Sequence, residues 1–376
     1  MKKTSIYIHI PFCDHKCIYC DFYSIIKYDD VEKYFYCLKK EIAFYAQKFS
    51  EGRIITSVFL GGGTPSFVNS LLIENLITEL KKNFNVSEKA EITIESNPGT
   101  MDEKKINDYL EAGINRLSIG VQSFNDEELK FMTRIHDSRK ALETINLARR
   151  EGFKNISIDL IFNLPKQTKN KWLSNLEIAA DLPIEHISAY SLMIERGTIL
   201  NKMILDGKVK IMDSDFDAEL YEITIDYLSG NNFLQYEVSN FCREGYECSH
   251  NLGYWNYNDY ISIGTSAHSF VNGKRWWNFS PLNLYISAVE KNGHAEIGNE
   301  ILSDKEKLNE FVMLALRSKG LNINDLTKFN DKNWFKENEQ YLTTLKNENL
   351  ISIKNNFIKF TKHGYAICDE IISKFQ

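Results

Sequence analysis

Long apolar runs are missing from this 376-residue sequence. No stretch approaches the roughly 20 consecutive apolar residues that a membrane-spanning helix needs. The segment Thr4 to Ile10, which follows the basic first residues, is too short and too mixed for the core of a signal peptide. With 43% hydrophobic and 26% charged residues, the composition is that of an ordinary globular protein. We therefore expect a cytoplasmic protein.

A disulfide framework and a basic stripe are missing as well. The seven cysteines are odd in number, and without an export signal their thiols are expected to stay reduced and available for metal. The net charge is −6, and no concentrated run of lysine and arginine marks a surface for nucleic acid. No phosphate-binding G-x4-G-K-[ST] loop occurs. These observations exclude no enzyme class, but they argue against a secreted scaffold and a nucleic-acid binder.

Short apolar runs alternate with helical patterns from residue 5 to about residue 195. The predicted strands are 5–10, 55–62, 91–96, 116–123, 155–162 and 186–193. The predicted helices between them are 31–49, 70–84, 102–113, 138–152 and 170–182. Such β-α repeats predict a parallel sheet with helices outside it, and a closed eight-unit barrel would need two more units. The predicted fold class is α/β, an incomplete (β/α)6 TIM-like barrel whose ligands lie at the C-terminal ends of the strands.

The remainder of the chain suggests two further regions. We predict a barrel domain at 1–230, an aromatic-rich connecting region at 231–300 and a mostly helical C-terminal domain at 301–376, and we expect residues 230–280 to be irregular. Nine Phe, Trp and Tyr lie among the 37 residues 241–277, twice the 12% average of the chain, which suggests a platform for a planar ligand. In the last region, a hairpin turning at Asn355-Asn356 and a final helix predict a winged-helix-like end.

Three cysteines directly follow the first predicted strand. Cys13, Cys17 and Cys20 are spaced C-x3-C-x2-C. Three thiolates can hold three irons of a cubane cluster and leave the fourth iron open, or they can fill three positions of a zinc site. His15 lies inside the loop, but its spacing would strain a closed zinc tetrahedron. The residues alone leave the cluster, zinc and an incidental grouping open.

The cysteine loop resembles that of the radical SAM enzymes. In that family the three cysteines bind a 4Fe–4S cluster, and S-adenosylmethionine chelates the open iron through its amino and carboxylate groups. Gly61-Gly62-Gly63-Thr64-Pro65 ends the second strand and by itself would be a turn. Beside the cysteine loop it resembles the family's glycine strand, whose backbone meets the methionine amino group, with Thr64 in place of the usual acid.

The resemblance also implies roles for polar residues near the strand ends. Singly, each would be interpreted as a rim residue in a salt bridge. By resemblance, Glu95 and Asp159 would hold ribose hydroxyls or nearby polar groups, and Gln122 and Arg134 would bind the carboxylate, for which the arginine fork is well suited. Tyr7 and Tyr19 would flank the cluster and the cofactor. The implied cofactor-binding set is Tyr7, Tyr19, Gly62, Gly63, Thr64, Glu95, Gln122, Arg134 and Asp159.

Four longer motifs narrow the resemblance to one group. YIHIPFC, GGGTPS, IGVQSF and DLIFNLP together resemble the oxygen-independent coproporphyrinogen III oxidase group along essentially the whole chain. Its dehydrogenase branch has a long extension before the first strand, which here begins by Ser5, and a cysteine at the position of Phe22. Residues 250–255 read HNLGYW, similar to the H-N-x-x-Y-W signature of the heme chaperone branch.

His250 in this signature is the candidate heme ligand. A neutral imidazole is a common axial ligand of heme iron, and Tyr254 and Trp255 would offer flat contact area to a porphyrin. The alternative is a hydrogen-bonded structural histidine. Cys242 and Cys248 are further candidate ligands, whereas His268 is expected to be structural. Cys37 lies within a helical pattern and is expected to pack rather than to bind metal.

The resemblance implies a carrier of heme. The 4Fe–4S cluster and S-adenosylmethionine would be structural or regulatory cofactors, and heme would pass to acceptor hemoproteins such as respiratory enzymes, including membrane-associated ones. One alternative is radical oxidative decarboxylation of coproporphyrinogen III, and another is a radical SAM enzyme with a different substrate. Whether any radical chemistry is retained is left open by the sequence.

Overall fold

The computed structural model describes residues 1–26, 29–329 and 333–375. The strands are β1 Lys2–Ile10, β2 Arg53–Gly62, β3 Val86–Ser96, β4 Arg116–Gln122, β5 Ile156–Phe162, β6 His186–Ser191, β7 Leu234–Glu237, β8 Asn240–Cys242, β9 Asp259–Ile263, β10 His268–Val271, β11 Lys274–Asn278, β12 Glu296–Ile301, β13 Leu321–Asn322, β14 Ile351–Lys354 and β15 Phe357–Phe360. The helices are α1 Val31–Phe49, α2 Ser70–Asn83, α3 Glu103–Glu111, α4 Asp126–Phe131, α5 Ser138–Arg150, α6 Lys169–Asp181, α7 Ile199–Leu205, α8 Ser214–Gly230, α9 Ser249–Trp255, α10 Leu282–Asn292, α11 Asp304–Leu316, α12 Trp334–Glu337, α13 Glu339–Asn347, α14 Lys362–Ala366 and α15 Cys368–Ser373. Short 3-10 turns occupy Pro65–Phe67 and Ile323–Phe329.

Strands β1 to β6 form a parallel sheet in chain order, each paired with the next. Helices α1, α2, α3, α5 and α6 follow the first five strands as crossover connections on the outside. The predicted α/β fold class with an incomplete (β/α)6 barrel is confirmed. Within the described residues the sheet has twelve strands, because β9 to β12 extend it beyond β1, and β8 and β7 extend it beyond β6.

Alternate residues of the parallel strands face the helices or the barrel interior. In β1, Ile6 and Ile8 are fully buried in the main hydrophobic core. The intervening Ser5 and Tyr7 contact interior residues of β2: the Ser57 hydroxyl donates to Ser5 Oγ at 2.9 Å, and the Tyr7 ring stacks near Phe59. The apolar side chains on the outer face of the strands therefore pack against the helices, and the positions that face the barrel interior can carry polar side chains.

The connecting region 231–300 consists largely of regular elements, so the expectation that residues 230–280 are irregular was wrong. It contributes six strands to the main sheet, and β9 pairs in parallel with β1 while β8 pairs antiparallel with β6. Its aromatic residues mostly pack inside the protein. Trp276 is 2% exposed, and its indole Nε1 donates to the Tyr45 hydroxyl at 2.7 Å. The aromatic enrichment reflects this packing rather than an open platform.

The C-terminal region has a hydrophobic core of its own. Buried residues from Leu308 to Ile371 form a cluster separate from the barrel core. Strands β13, β15 and β14 form a small antiparallel sheet, and Asn355 and Asn356 make the tight turn with φ of 50° and 64°. Asparagine tolerates this left-handed conformation, as two-residue hairpin turns require. The predicted mostly helical C-terminal part is confirmed, and the structure contains the predicted hairpin and final helix.

Candidate cofactor site at the barrel mouth

The loop that carries the three cysteines lies across the C-terminal ends of the first strands. Two backbone hydrogen bonds fix it: Gly63 N donates to Ile10 O and Thr64 N donates to Phe12 O, each at 2.8 Å. A Cβ at Gly63 would lie 2.7 Å from the Pro11 backbone, so only glycine permits this approach. The end of β2 and the cysteine loop therefore form one rigid unit.

All three loop cysteines are free thiols. Cys13 Sγ lies 3.5 Å from Thr64 Oγ1, and Cys17 Sγ lies 3.5 Å from Arg134 Nη1. Within the described residues, no three His, Cys, Asp or Glu side chains converge as they would around a single metal ion. A cubane cluster takes each cysteine on a different iron, so thiols with different neighbours on one loop suit it better than they suit one zinc ion.

His15, the fourth ligand considered for zinc, is engaged elsewhere. Its Nε2 lies 3.1 Å from the Thr133 hydroxyl, and its side chain is exposed. This contact ties the cysteine loop to the loop before α5. The donor set that remains, three cysteines without a fourth protein ligand, fits a cluster that leaves one iron open.

A polar cluster of Thr64, Asn97, Gln122 and Arg134 lies next to the cysteines. Asn97 Nδ2 donates to Thr64 Oγ1 at 2.9 Å, and Arg134 Nη2 donates to Asn97 Oδ1 at 2.5 Å and to Gly120 O at 2.7 Å. A Cβ on Gly120 would lie 2.8 Å from Gln122 Nε2 and 3.0 Å from Asn97 Oδ1. Gly120 therefore provides the space in which these side chains meet.

Arg134 has an unsatisfied donor in this cluster. Its Nε is buried and has no hydrogen-bond partner in the part of the chain that the structure describes, whereas both terminal nitrogens are bonded. The neighbouring Tyr19 hydroxyl is shielded from solvent, and burial raises its pKa while the guanidinium opposes the rise. An arginine held at a rim with a spare donor is suited to a ligand carboxylate.

Glu95 and Asp159 lie deeper in the barrel. Glu95 Oε2 accepts a hydrogen bond from Gly62 N at 3.1 Å. Burial first, and then the nearby Asp159 carboxylate, raise the pKa of Glu95 to about 8. Burial likewise raises the pKa of Asp159, opposed by a hydrogen bond from Ser188 and by Arg116. Two buried carboxyl groups whose pKa values are raised by desolvation suit hydroxyl or cationic partners.

The glycines of GGGTPS are explained in part by packing alone. Gly62 has φ of +114°, and a Cβ there would lie 2.5 Å from the His9 ring. His9 is itself held by the Tyr7 hydroxyl at 3.0 Å and by Tyr23 O at 2.9 Å. The turn therefore accounts for Gly62 and Gly63 without any ligand.

Sequence reasoning missed Asn97 and His9. Asn97 lies in ESNPGT and links Thr64 to Arg134, while His9 lies in YIHIPFC and supports the glycine turn. His9 belongs to a motif that the sequence analysis used, Asn97 directly follows the predicted strand 91–96, and their position at strand ends was the available signal. The partners of Asn97 are Thr64 and Arg134, which lie 33 and 37 residues away in the sequence, so no local pattern shows these contacts.

His250 does not lie at the barrel mouth but inside the barrel, on α9. It is 2% exposed, and its ring contacts Phe59 and Tyr7. Nδ1 lies 3.1 Å from Ser57 Oγ, which itself donates to Ser5, so Nδ1 donates to Ser57. Nε2 then accepts from the Tyr254 hydroxyl at 3.0 Å. Both ring nitrogens are occupied, as in the structural alternative.

The other residues considered for heme are no better placed. Tyr254 meets the rings of His250 and Tyr260 edge-on, which leaves its ring packed rather than open to a porphyrin. Cys242 and Cys248 are buried, and Cys248 Sγ donates to Glu91 Oε1 at 3.4 Å. Cys37 is buried in α1, as predicted. His268 is exposed, and its ring is stacked on Trp277.

Comparison with known proteins agrees with this geometry. The Radical SAM superfamily profile matches residues 7–179. Heme chaperone HemW of Lactococcus lactis is 32% identical, over 100% of this chain and 97% of the relative. HemW of Haemophilus influenzae is 33% identical, over 100% of this chain and 98% of the relative. HemW of Escherichia coli is 37% identical, over 72% of this chain and 71% of the relative.

A solved structure shows the same fold over the whole length. Coproporphyrinogen III oxidase (HemN) from Escherichia coli, a radical SAM enzyme, superposes with a TM-score of 0.86. The two sequences are 25% identical, and the superposition covers 100% of this chain and 90% of the HemN chain. The partial barrel with its three-cysteine loop defines a radical SAM protein, a class that implies a 4Fe–4S cluster and S-adenosylmethionine. Within that superfamily, the chain belongs to the HemW family.

Proposed function

We propose that this protein is a heme chaperone, which binds heme and delivers it to acceptor hemoproteins in the cytoplasm or at the membrane. The observation that carries the proposal is the similarity to HemW proteins along the entire chain, including 97% and 98% of two relatives. Among the described residues no helix is long and apolar enough to cross a membrane. Membrane-associated acceptors would therefore be reached by docking.

At the barrel mouth, Cys13, Cys17 and Cys20 would hold the 4Fe–4S cluster. When bound, S-adenosylmethionine supplies the missing ligands of the open iron. Arg134, Gln122 and Thr64 would orient its carboxylate and amino end, together with the backbone of Gly62 and Gly63. Glu95 and Asp159 would accept from its hydroxyls, and Tyr7 and Tyr19 would line the cavity. Asn97 would position Thr64 and Arg134 through its two hydrogen bonds.

His250 enters this proposal as a structural residue. For Nε2 to bind iron, the Tyr254 hydroxyl would have to leave it, and a porphyrin would have to enter the packed barrel interior. Removing a buried histidine with two hydrogen bonds would cost stability, so binding experiments on His250 variants need a folding control.

The second candidate function is that of an oxygen-independent coproporphyrinogen III dehydrogenase. It is favoured by one observation, the TM-score of 0.86 against HemN over the full chain. Against it stands Phe22, which occupies the place of the dehydrogenase branch's extra cysteine and is 63% exposed. A fold shared between relatives does not by itself assign a reaction.

The deciding experiment uses anaerobically reconstituted protein with a reductant present. We expect heme to bind at about one per chain, to transfer to an apo-hemoprotein, and coproporphyrinogen III to remain unchanged. A matched variant with Cys13, Cys17 and Cys20 changed to serine tests whether transfer needs the cluster. Formation of the divinyl product would establish the dehydrogenase instead, and absence of heme binding would end the chaperone proposal.

A further inference from the structure

A cleft of about 580 Å3 lies beside the cysteine loop, outside the barrel interior. It is bounded by the loops that follow β2, β3 and β4 and by the first residues of α5. Asp14 of the cysteine loop lines it, so its occupant would lie next to the proposed cluster. Its volume is within the range of small-molecule sites.

The cleft is apolar on some walls and cationic on others. Phe67 and Ile135 provide apolar surface, Pro98 lies buried beneath it, and Ile135 is 55% exposed. Arg139 and Lys140 stand at the first turn of α5 and are exposed. An amphipathic ligand, flat and apolar with anionic groups at one edge, matches both kinds of wall.

The cations of the cleft differ in how far they are free to bind a ligand. Lys105 Nζ donates to Ser66 O at 2.6 Å and to Thr100 O at 3.3 Å, so it stiffens the wall. Arg139 makes a long contact of 3.9 Å with Glu143, and its side chain is 81% exposed. Lys140 lies over Gly99, where a Cβ would be 3.9 Å from its Cε.

Acidic residues also line the cleft, and one of them is engaged. Asp137 caps α5 by accepting from Lys140 N at 2.8 Å, while Asp14 is exposed. Three cations therefore face two carboxylates, and the helix N-terminus adds partial positive charge. The balance favours an anionic group near Arg139 and Lys140.

His136 is a second and independent indication of a ligand. It lines the cleft, is 7% exposed, and its Nδ1 is buried without a hydrogen-bond partner among the described residues. Nε2 lies 3.1 Å from Val121 O and must carry the proton, because a carbonyl only accepts. The lone pair is therefore on Nδ1. Burial lowers the pKa of His136 to about 4, which keeps the ring neutral.

A neutral histidine whose other nitrogen donates to a backbone carbonyl is the usual arrangement of a metal-binding histidine. His250 lacks this property, since both of its nitrogens are occupied. Resting on the proposed heme chaperone function, we propose that heme binds in this cleft, with its propionates on Arg139 and Lys140 and its iron facing His136.

The test measures dissociation constants and Soret spectra for three probes: heme, iron-free protoporphyrin IX and heme dimethyl ester. Arg139→Gln/Lys140→Gln should weaken heme and protoporphyrin IX by about tenfold or more, since charge-assisted hydrogen bonds are lost. It should leave the ester unaffected. His136→Ala should shift the Soret band and weaken heme but not protoporphyrin IX. The matched control is Lys346→Gln/Lys354→Gln, which removes two exposed cations of the C-terminal region.

The outcomes separate this inference from the chaperone proposal. If the unchanged protein binds no heme, the proposed function fails. If it binds heme but both cleft variants behave like the control, the cleft is not the heme site and the chaperone proposal stands. Iron content and circular dichroism check that His136→Ala is folded. If His136→Ala does not fold, the Arg139→Gln/Lys140→Gln variant still tests the cleft. It should weaken the binding of heme but leave the binding of heme dimethyl ester unchanged.

Discussion

The Tyr254 hydroxyl donates a hydrogen bond to His250 Nε2 at 3.0 Å, one turn apart on α9. These are two of the residues that define the HNLGYW signature, and here they satisfy each other inside the barrel. Ser57 of β2 holds the opposite nitrogen at 3.1 Å. The signature therefore fixes α9 against the barrel strands.

Tyr254→Phe tests this relationship. The substitution leaves the buried Nε2 acceptor without a donor, so the free energy of unfolding should fall by about 1–3 kcal/mol. The Soret band of bound heme should not move. Chemical denaturation and a heme titration measure the two effects. Tyr246→Phe is the control, since the described structure shows no hydrogen bond of its hydroxyl. A Soret shift in Tyr254→Phe would instead indicate that His250 reaches the iron.

The cysteine loop predicts the metal content. Anaerobically reconstituted protein should contain about four irons per chain, as expected for a 4Fe–4S cluster. Cys17→Ser should lose most of the iron, because the open cluster has no spare protein ligand. Cys37→Ala, which removes a thiol from the buried face of α1, should keep it. Iron analysis and absorbance decide, and stoichiometric zinc in place of iron would refute the cluster.

Arg134→Ala should weaken S-adenosylmethionine binding to the cluster-loaded protein by about tenfold or more, since a fork of charged hydrogen bonds to a carboxylate is lost. Asn97→Ala should have a smaller effect, because Asn97 only positions the guanidinium. Arg150→Ala, on the outer surface of α5, is the charge control. Equilibrium dialysis and the EPR spectrum of the cluster measure the binding. Equal losses in the Arg150 variant would mean that only net charge matters.

Glu95 predicts a pH dependence of the same binding. Its pKa in the free protein is raised to about 8, so the carboxyl group is mostly protonated at neutral pH. If the cofactor favours the ionised form, binding releases a proton, and affinity rises with pH until it levels off above about pH 8. Glu95→Gln should remove this slope. Dissociation constants between pH 6.5 and 9 test it, and an unchanged slope in the variant would assign the proton to another group.

Much of the barrel could be predicted because its information is local. Helix α1 spans Val31–Phe49, the predicted range, because its apolar positions recur at helical spacing over that whole range. Strands β1 to β6 were predicted within a few residues, apart from β3, which begins five residues earlier. The cysteine spacing and the glycine turn are likewise local.

The parts that were missed depend on distant contacts. Strand β9 pairs with β1 across the whole barrel domain, so a short apolar run at 259–263 looked like part of an irregular segment. One partner of His250 is Ser57, 193 residues away, so the hydrogen bond that occupies Nδ1 could not be predicted from the local sequence. The cleft around His136 is assembled from four separate loops and has no signature in any one of them.

The pairing of β9 with β1 also bears on how the chain is made. During translation the first strand leaves the ribosome early and can meet β2 soon afterwards, but Thr4 must wait for Asp259 before its other edge is covered. Until then the nascent chain presents an open parallel edge, the kind of surface that recruits other chains. A fragment limited to residues 7–179, the part matched by the superfamily profile, would keep that edge permanently exposed. Strand β9 thus acts as a covalently attached cover for the edge of the barrel that β1 would otherwise expose.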